Sequence, residues 1–399
     1  MRTIGVVTVG RSDYGIYRSI LRKIAAEPAL RLQIIASGMH LAPEFGHTVK
    51  MIEADGFEVS DRVESLLASD SPEGVGKSMG LGVMGFSQVF ARSRPDILVV
   101  LGDRFDMFPA ALAALPFRIP VAHLHGGEVS FGAIDDALRH AITKLSHLHF
   151  VATEEYRRRV LQMGEEPWRV TVSGAPALDD LDSTPRLSRA ELEQRFGFRL
   201  DEPPLLVTFH PSTLQHDQIE WQTAELLAAV EASGHPAVFT APNADTGGRK
   251  VRAMVEGFVK NSPRAWFVEN FGQQGYFSFM REALAMVGNS SSGIVEAASF
   301  HLPVVNIGDR QEGRDRAGNV IDVGYERQAI LDGLRRVLEP KFRAEVQTIR
   351  NPYQATESTA AGQIVERLKT VALDDRLSVK RFCDWPAPAA TPENQARKD

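Results

Sequence analysis

Ile97-Leu98-Val99-Val100-Leu101-Gly102-Asp103-Arg104-Phe105-Asp106 is the stretch that decides the fold. Five aliphatic residues in a row read as a strand covered on both faces, the mark of a parallel sheet. A glycine and two acids follow where that strand ends. In an open parallel sheet the carboxyl ends of the strands form the ligand crevice, so Asp103 is placed where a ligand would be met.

The same alternation of apolar run and polar turn extends in both directions, with longer stretches of helical spacing between the runs, as βα units require. Strands are expected near Ile4–Val9, Leu32–Ala36, Val121–Leu124, Leu148–Ala152 and Val170–Val172, and Ile16, Ile20 and Ile24 give a helix one face to bury. These make a first domain over residues 1–177. A second series, Leu205–Phe209, Ala237–Thr240, Ala265–Val268, Ala285–Val287 and Val304–Ile307, makes a second domain over 178–373 that ends in a helix over Ala360–Leu373. The boundary falls in Leu178–Pro204, a stretch rich in Asp, Ser, Pro and Arg that reads as a connection plus a short helix. Residues 374–399 read as a mobile tail, since Trp385–Asp399 carries three prolines and little to bury. The expected fold class is α/β, with two Rossmann-like domains whose parallel sheets face a cleft.

Composition narrows the function. A chain of 399 residues with 43% hydrophobic content can build two cores, and a formal net charge of -6 argues against a nucleic-acid partner. Cys383 is the single cysteine, so neither an intrachain disulfide nor a thiolate metal cage can form, and a cytoplasmic setting is expected. No apolar run approaches the roughly 18 residues of a membrane span. No G-x-G-x-x-G follows the first strand and there is no Walker loop or zinc-ligand spacing, so no redox cofactor and no metal are expected.

Polar clusters stand at the ends of other expected strands. They are Gly10-Arg11-Ser12-Asp13-Tyr14-Gly15, His123-Leu124-His125-Gly126-Gly127-Glu128, His210-Pro211-Ser212-Thr213, Gly288-Asn289-Ser290-Ser291-Ser292-Gly293 and Arg310-Gln311-Glu312-Gly313-Arg314. The serine-rich loop precedes an expected helix from Ile294 through Ala298, so its small residues and free N–H groups suit a diphosphate. A serine N-cap with a glycine turn has the same composition. Arg310 and Arg314 favour phosphate, which arginine grips in bidentate fashion. Glu296 is placed to accept ribose hydroxyls or merely to solvate a helix face. His210, held by Pro211, projects into the crevice or serves the core, and Arg11 is a ligand contact or a solvated turn. Glu128, His125 and Asp135 share one glycine-rich loop, bringing two carboxylates and an imidazole together for proton transfer. Asp135 and Asp136 also suit the first turn of a helix bearing Leu138, Ile142 and Leu145. His140, His147 and His149 read as packing residues.

Taken in order, Gly10 to Tyr14, Gly102 to Asp106, Asp135-Asp136 through Arg139-His140-Ala141-Ile142-Thr143-Lys144, Gly288 to Gly293 and Arg310 to Arg314 closely resemble the hydrolysing UDP-N-acetylglucosamine 2-epimerases of sialic-acid and nonulosonate synthesis. The similarity runs from about Ile4 to Leu368. It implies a GT-B-like fold, a metal-independent reaction on a nucleotide-sugar substrate and a homodimer or homotetramer. By resemblance Arg11, His210, Ser290, Ser291, Glu296 and Arg310 are nucleotide contacts, and Asp103 and Asp135 belong to the acid/base set with Glu128 and His125. Many family members carry glutamate where this chain has His125. The implied reaction is conversion of UDP-N-acetylglucosamine to N-acetylmannosamine plus UDP. The same chemistry on UDP- or GDP-2,4-diacetamido-2,4,6-trideoxyglucose stands as an alternative, as do a GT-B glycosyltransferase and a non-hydrolysing epimerase.

Overall fold

The computed structural model describes residues 1–69, 71–131, 134–181, 184–211, 218–242, 247–355 and 358–384. Ser212 and Thr213 of the His210 cluster, and the tail from Trp385, lie outside the described residues.

Two compact units emerge. The first comprises Met1–Gly127, Ala137–Pro176 and the described residues from 358 onward; the second comprises Glu128–Asp136 and Ala177–Thr356. The first unit holds a seven-stranded parallel sheet of β1 (Arg2–Thr8), β2 (Leu30–Ser37), β3 (Val59–Val63), β4 (Ile97–Leu101), β5 (Val121–Leu124), β6 (Leu148–Val151) and β7 (Val170–Val172), in the order β3-β2-β1-β4-β5-β6-β7. The second holds a six-stranded parallel sheet of β8 (Leu205–Thr208), β9 (Ala237–Thr240), β10 (Ala265–Val268), β11 (Ala285–Gly288), β12 (Val304–Ile307) and β13 (Val320–Val323), in the order β10-β9-β8-β11-β12-β13.

Successive side chains of a strand point to opposite faces, and the cores follow that period. Ile97, Val99 and Leu101 of β4 pack with Ile20 and Ile24 of the helix Arg11–Ala26, whereas Leu98 and Val100 pack on the other face with Phe86 and Phe90 of the helix Pro72–Arg92. All five residues of β4 are buried, as its unbroken aliphatic run requires. The second sheet divides likewise, with Leu205 and Val207 in one cluster and Leu206 in the other.

The structure departs from the expected organisation in four ways. β3 and β13 were not expected, and both are edge strands with polar residues inside them, Asp61 and Asp322, so neither shows as an apolar run. The last long helix, Ala360–Thr370, was expected to close the second domain, but it belongs to the first unit. There Ile364 and Leu368 are fully buried beside Ile20 and Ile24, at about 1.5–3 kcal/mol of burial each. Glu128–Asp136, expected in the first domain, groups with the second unit. Residues 374–384, expected to be part of a mobile tail, are packed: Arg169 donates to the carbonyls of Arg376, Leu377 and Val379. Among the described residues no helix is long and apolar enough to cross a membrane.

Candidate active site

In each unit the strand order reverses at one place. From β1 the chain steps outward to β2 and β3, then returns to the other side of β1 with β4; from β8 it steps to β9 and β10, then returns with β11. The loops leaving the two central strands diverge there, which opens a crevice at their carboxyl ends. Arg11 and Asp103 follow β1 and β4, and His210 and Ser290 follow β8 and β11. Chain topology alone therefore places these four residues at the two switch points, whereas the His125 and Arg310 loops follow the neighbouring strands β5 and β12.

In the first unit, Asp103 is ion-paired with Arg139, whose side chain is almost wholly buried. The same guanidinium donates to the His125 carbonyl at 2.9 Å, so one cation joins the ends of β4 and β5. His125 has φ 62, in the left-handed region that a non-glycine residue enters at a cost of about 1–3 kcal/mol. Its neighbour His123 contacts the Gly102 carbonyl and the Thr143 hydroxyl at 2.8 and 3.1 Å, and burial pushes its pKa down to about 3. Arg11 is exposed on the first turn of its helix. Behind it Asp13, buried, accepts from Val9 N, Gly10 N and the Thr8 hydroxyl at 2.9, 2.7 and 2.7 Å, which fixes the turn that carries Arg11. Burial, with the Asp106 carboxylate nearby, raises the Asp13 pKa to about 6 against those hydrogen bonds. Arg104 turns to Asp106 at 3.0 and 3.2 Å.

The loop between β5 and the next helix, with that helix's first turn, carries His125, Glu128 and Asp135, the residues expected to share proton transfer. Glu128, 4% exposed, lies 3.7 Å from Arg314 of the second unit's own loop. The side chains around Gly313 explain the grouping, because a Cβ there would meet Phe131 and Val129 at 2.4 and 2.6 Å. Asp135 and Asp136 stand in the first turn of the helix Ile134–Leu145, and Asp136 accepts from Ser130 N at 2.8 Å, the role of a helix-start carboxylate.

In the second unit Asn289 is the hub. Its side chain accepts from His210 N at 2.7 Å and donates to His210 O at 2.8 Å, tying the ends of β8 and β11 together. Its carbonyl accepts from Arg310 at 3.2 Å and from Gln311 at 2.9 Å, bringing in the loop after β12. Gly288 has φ +134, and a Cβ there would lie 1.9 Å from the Thr208 carbonyl, so only glycine lets the two strands close up. Burial and the Arg310 guanidinium hold His210 down at about 3, a neutral ring at any ordinary pH. The Tyr276 hydroxyl lies near Ser292, Thr208 and the Glu296 carboxylate, and burial raises it well above its ordinary value. Ser290 is half-buried and Ser291 exposed.

The helix expected over Ile294–Ala298 is instead one α turn, Ser292–Val295, followed by a 3-10 turn, Ala297–Phe300. So short a turn has little macrodipole, and the cation seen beside this loop is Arg310, on the Asn289 carbonyl. Sequence reading missed Arg139 and Asn289 as organising residues. Arg139 was masked by an amphipathic helix and Asn289 by a run of small polar residues.

A family model described as UDP-N-acetylglucosamine 2-epimerase matches residues 22–369. The chain is 39% identical over 344 residues to the UDP-N,N'-diacetylbacillosamine 2-epimerase (hydrolyzing) of Legionella pneumophila, covering 86% of this chain and 91% of that relative. It is 41% identical over 323 residues to the GDP/UDP-N,N'-diacetylbacillosamine 2-epimerase (hydrolyzing) of Campylobacter jejuni, covering 80% and 84%. The crystal structure of UDP-GlcNAc 2-epimerase from Neisseria meningitidis bound to UDP-GlcNAc matches the fold with a TM-score of 0.79 at 19% sequence identity, over 92% of this chain and 99% of that one.

Proposed function

Because the chain belongs to the UDP-N-acetylglucosamine 2-epimerase family, we propose that it hydrolyses a nucleoside-diphosphate-linked 2,4-diacetamido-2,4,6-trideoxyglucose with inversion at C2. The observation that carries the choice of sugar is the identity of 39% and 41% to two relatives named for N,N'-diacetylbacillosamine and for hydrolysis. It favours that substrate over UDP-N-acetylglucosamine, the sugar first expected.

In the proposed reaction a base removes the C2 proton and the C1–O bond breaks, its electron pair leaving with the nucleoside diphosphate. The glycal that remains then gains hydroxide at C1 and a proton at C2 on the face opposite to the loss. The C2 hydrogen is not acidic, so the step depends on stabilising the departing diphosphate with fixed cations and N–H groups. Arg11, Arg310 and the Ser290–Ser291 loop are assigned to that charge, and Glu296 to the ribose. Neutral His210 is assigned to a nucleotide contact as a hydrogen-bonding ring. Asp103, His125 and Asp135 are assigned to proton transfer, and the Arg139 pair supports Asp103 in that role because it orients the carboxylate. Glu128, beside Arg314, is assigned to orienting that cation, a change from its expected place in the acid/base set.

The test is incubation of the purified protein with UDP- and GDP-linked 2,4-diacetamido-2,4,6-trideoxyglucose and with UDP-N-acetylglucosamine in deuterated water, without acceptor, followed by NMR. Free 2-epimerised diacetamido sugar carrying deuterium at C2 is expected. Intact donor would indicate a transferase, a nucleotide-linked epimer a non-hydrolysing enzyme, and free N-acetylmannosamine from UDP-N-acetylglucosamine alone the other substrate. Product without C2 deuterium would end the elimination scheme.

A further inference from the structure

We infer that residues 375–384 form a positioning strap that clamps the C-terminal end of the helix Ile134–Leu145 and so holds Arg139 in place against Asp103 and His125; its catalytic meaning rests on the function proposed above. The last carbonyls of a helix have no partner within it and attract cations. Here the Lys380 ammonium fills that place, donating to the carbonyls of Lys144 and Ser146 at 2.8 and 2.7 Å. It also lies 2.8 Å from Glu165, whose fully buried carboxylate takes Lys144 at 2.6 Å and His149 at 2.9 Å.

The strap is itself fastened. The Arg169 side chain, fully buried, donates to Arg376 O, Leu377 O and Val379 O at 2.7, 3.0 and 3.2 Å. Cys383 N donates to Gly164 O at 2.9 Å, and the Phe382 ring lies so close over Gly164 that a Cβ there would be 2.4 Å from it. The Lys144 ammonium stands 5.2 Å from the same ring. Burying the Glu165 carboxylate and most of Lys380 is expensive in desolvation, and the proposed proton transfer touches neither. Their common product is the fixed end of one helix. Arg139 lies only about 7.5 Å along that helix from Lys144, at about 1.5 Å per residue, so a shift at the clamp is carried to it. A misplacement of about 1 Å at a reacting group costs up to about 100-fold in rate.

The experiment compares full-length protein with Lys380→Met, Lys380→Arg and Phe382→Ala. It reads kcat, KM, UDP affinity and amide hydrogen exchange over residues 134–145. Lys380→Met should lower kcat about 10-fold, by a displacement smaller than that worst case, leave UDP affinity within about two-fold, and speed exchange in the helix. Lys380→Arg, which keeps the cation, should recover most of kcat. Phe382, 71% exposed, anchors only the end of the strap, so its loss should act in the same direction but less, and it decides the matter if Lys380→Met does not fold. Unchanged exchange, or KM and UDP affinity damaged as much as kcat, would overturn the strap. If the wild-type protein turns over none of the sugar nucleotides, the functional reading fails instead, and helix exchange alone judges the strap.

Discussion

Arg310 and Asp103 occupy different units, and substitution should separate their effects. Arg310 reaches the Asn289 carbonyl beside the serine loop, so Arg310→Ala should weaken UDP binding by about 10- to 100-fold, the loss of one charge-assisted contact, and should also lower kcat, because that cation is assigned to the departing diphosphate. Asp103→Asn keeps the shape and removes a carboxylate proposed for proton transfer, so kcat should fall about 100- to 10,000-fold while UDP affinity stays within about two-fold. Steady-state kinetics and UDP titration of both variants check this, and equal losses of nucleotide affinity would refute the division. Both positions beside strand ends were legible in the sequence because each lies within three residues of the end of an aliphatic run. Arg139 was not: nothing in Arg139-His140-Ala141-Ile142 says that its guanidinium reaches two other strand ends, since that contact joins residues 36 positions apart.

The element that decides the second crevice is the junction of β11 with its loop. Gly288 sits in a backbone region closed to side chains and against the Thr208 carbonyl. Gly288→Ala should therefore push β8 from β11, break the reciprocal Asn289–His210 pair, and cost upwards of about 3 kcal/mol, the combined penalty of strain and broken buried hydrogen bonds. Thermal melting with and without UDP checks it, and a variant with wild-type melting and UDP-induced stabilisation would contradict the packing argument. The central strands were readable in advance because a strand buried on both faces writes itself as an apolar run. β3 and β13, each with a neighbour on one side only, carry polar residues and were not readable. The helix after Gly288–Gly293 was overestimated for a related reason: small residues mark a turn but set no length for the helix beyond it.

Across the whole molecule, buried titratable groups set the response to acid. His123 and His210 are held down at about 3 and His40 and His147 at about 4 by burial, against an ordinary value of 6.5. Unfolding lets them take up protons, so their contribution is complete above pH 6.5 and is lost as pH falls toward 4 for His40 and His147 and toward 3 for His123 and His210. Glu165, held at about 2 by the His149 and Lys partners that outweigh its burial, contributes fully above its ordinary 4.5 and loses that contribution as pH falls toward 2. Asp13 works the other way: raised to about 6, it favours the fold at low pH and loses that advantage as pH rises through 6. Between pH 7 and pH 4.5 these four histidines outweigh Asp13, so the melting temperature should fall by several degrees over that range; a flat profile by calorimetry would show that these histidines are not buried neutral. From its sequence alone the chain determined two parallel sheets and polar clusters at their strand ends, because hydrophobic periodicity and strand termination are written in neighbouring residues. Only the tertiary structure decided that the last long helix returns to the first unit, that Glu128 stands with Arg314, and that Asn289 and Arg139 join separate strand ends. Those pairings depend on which surfaces bury one another across long separations in the chain, and no local pattern carries that information.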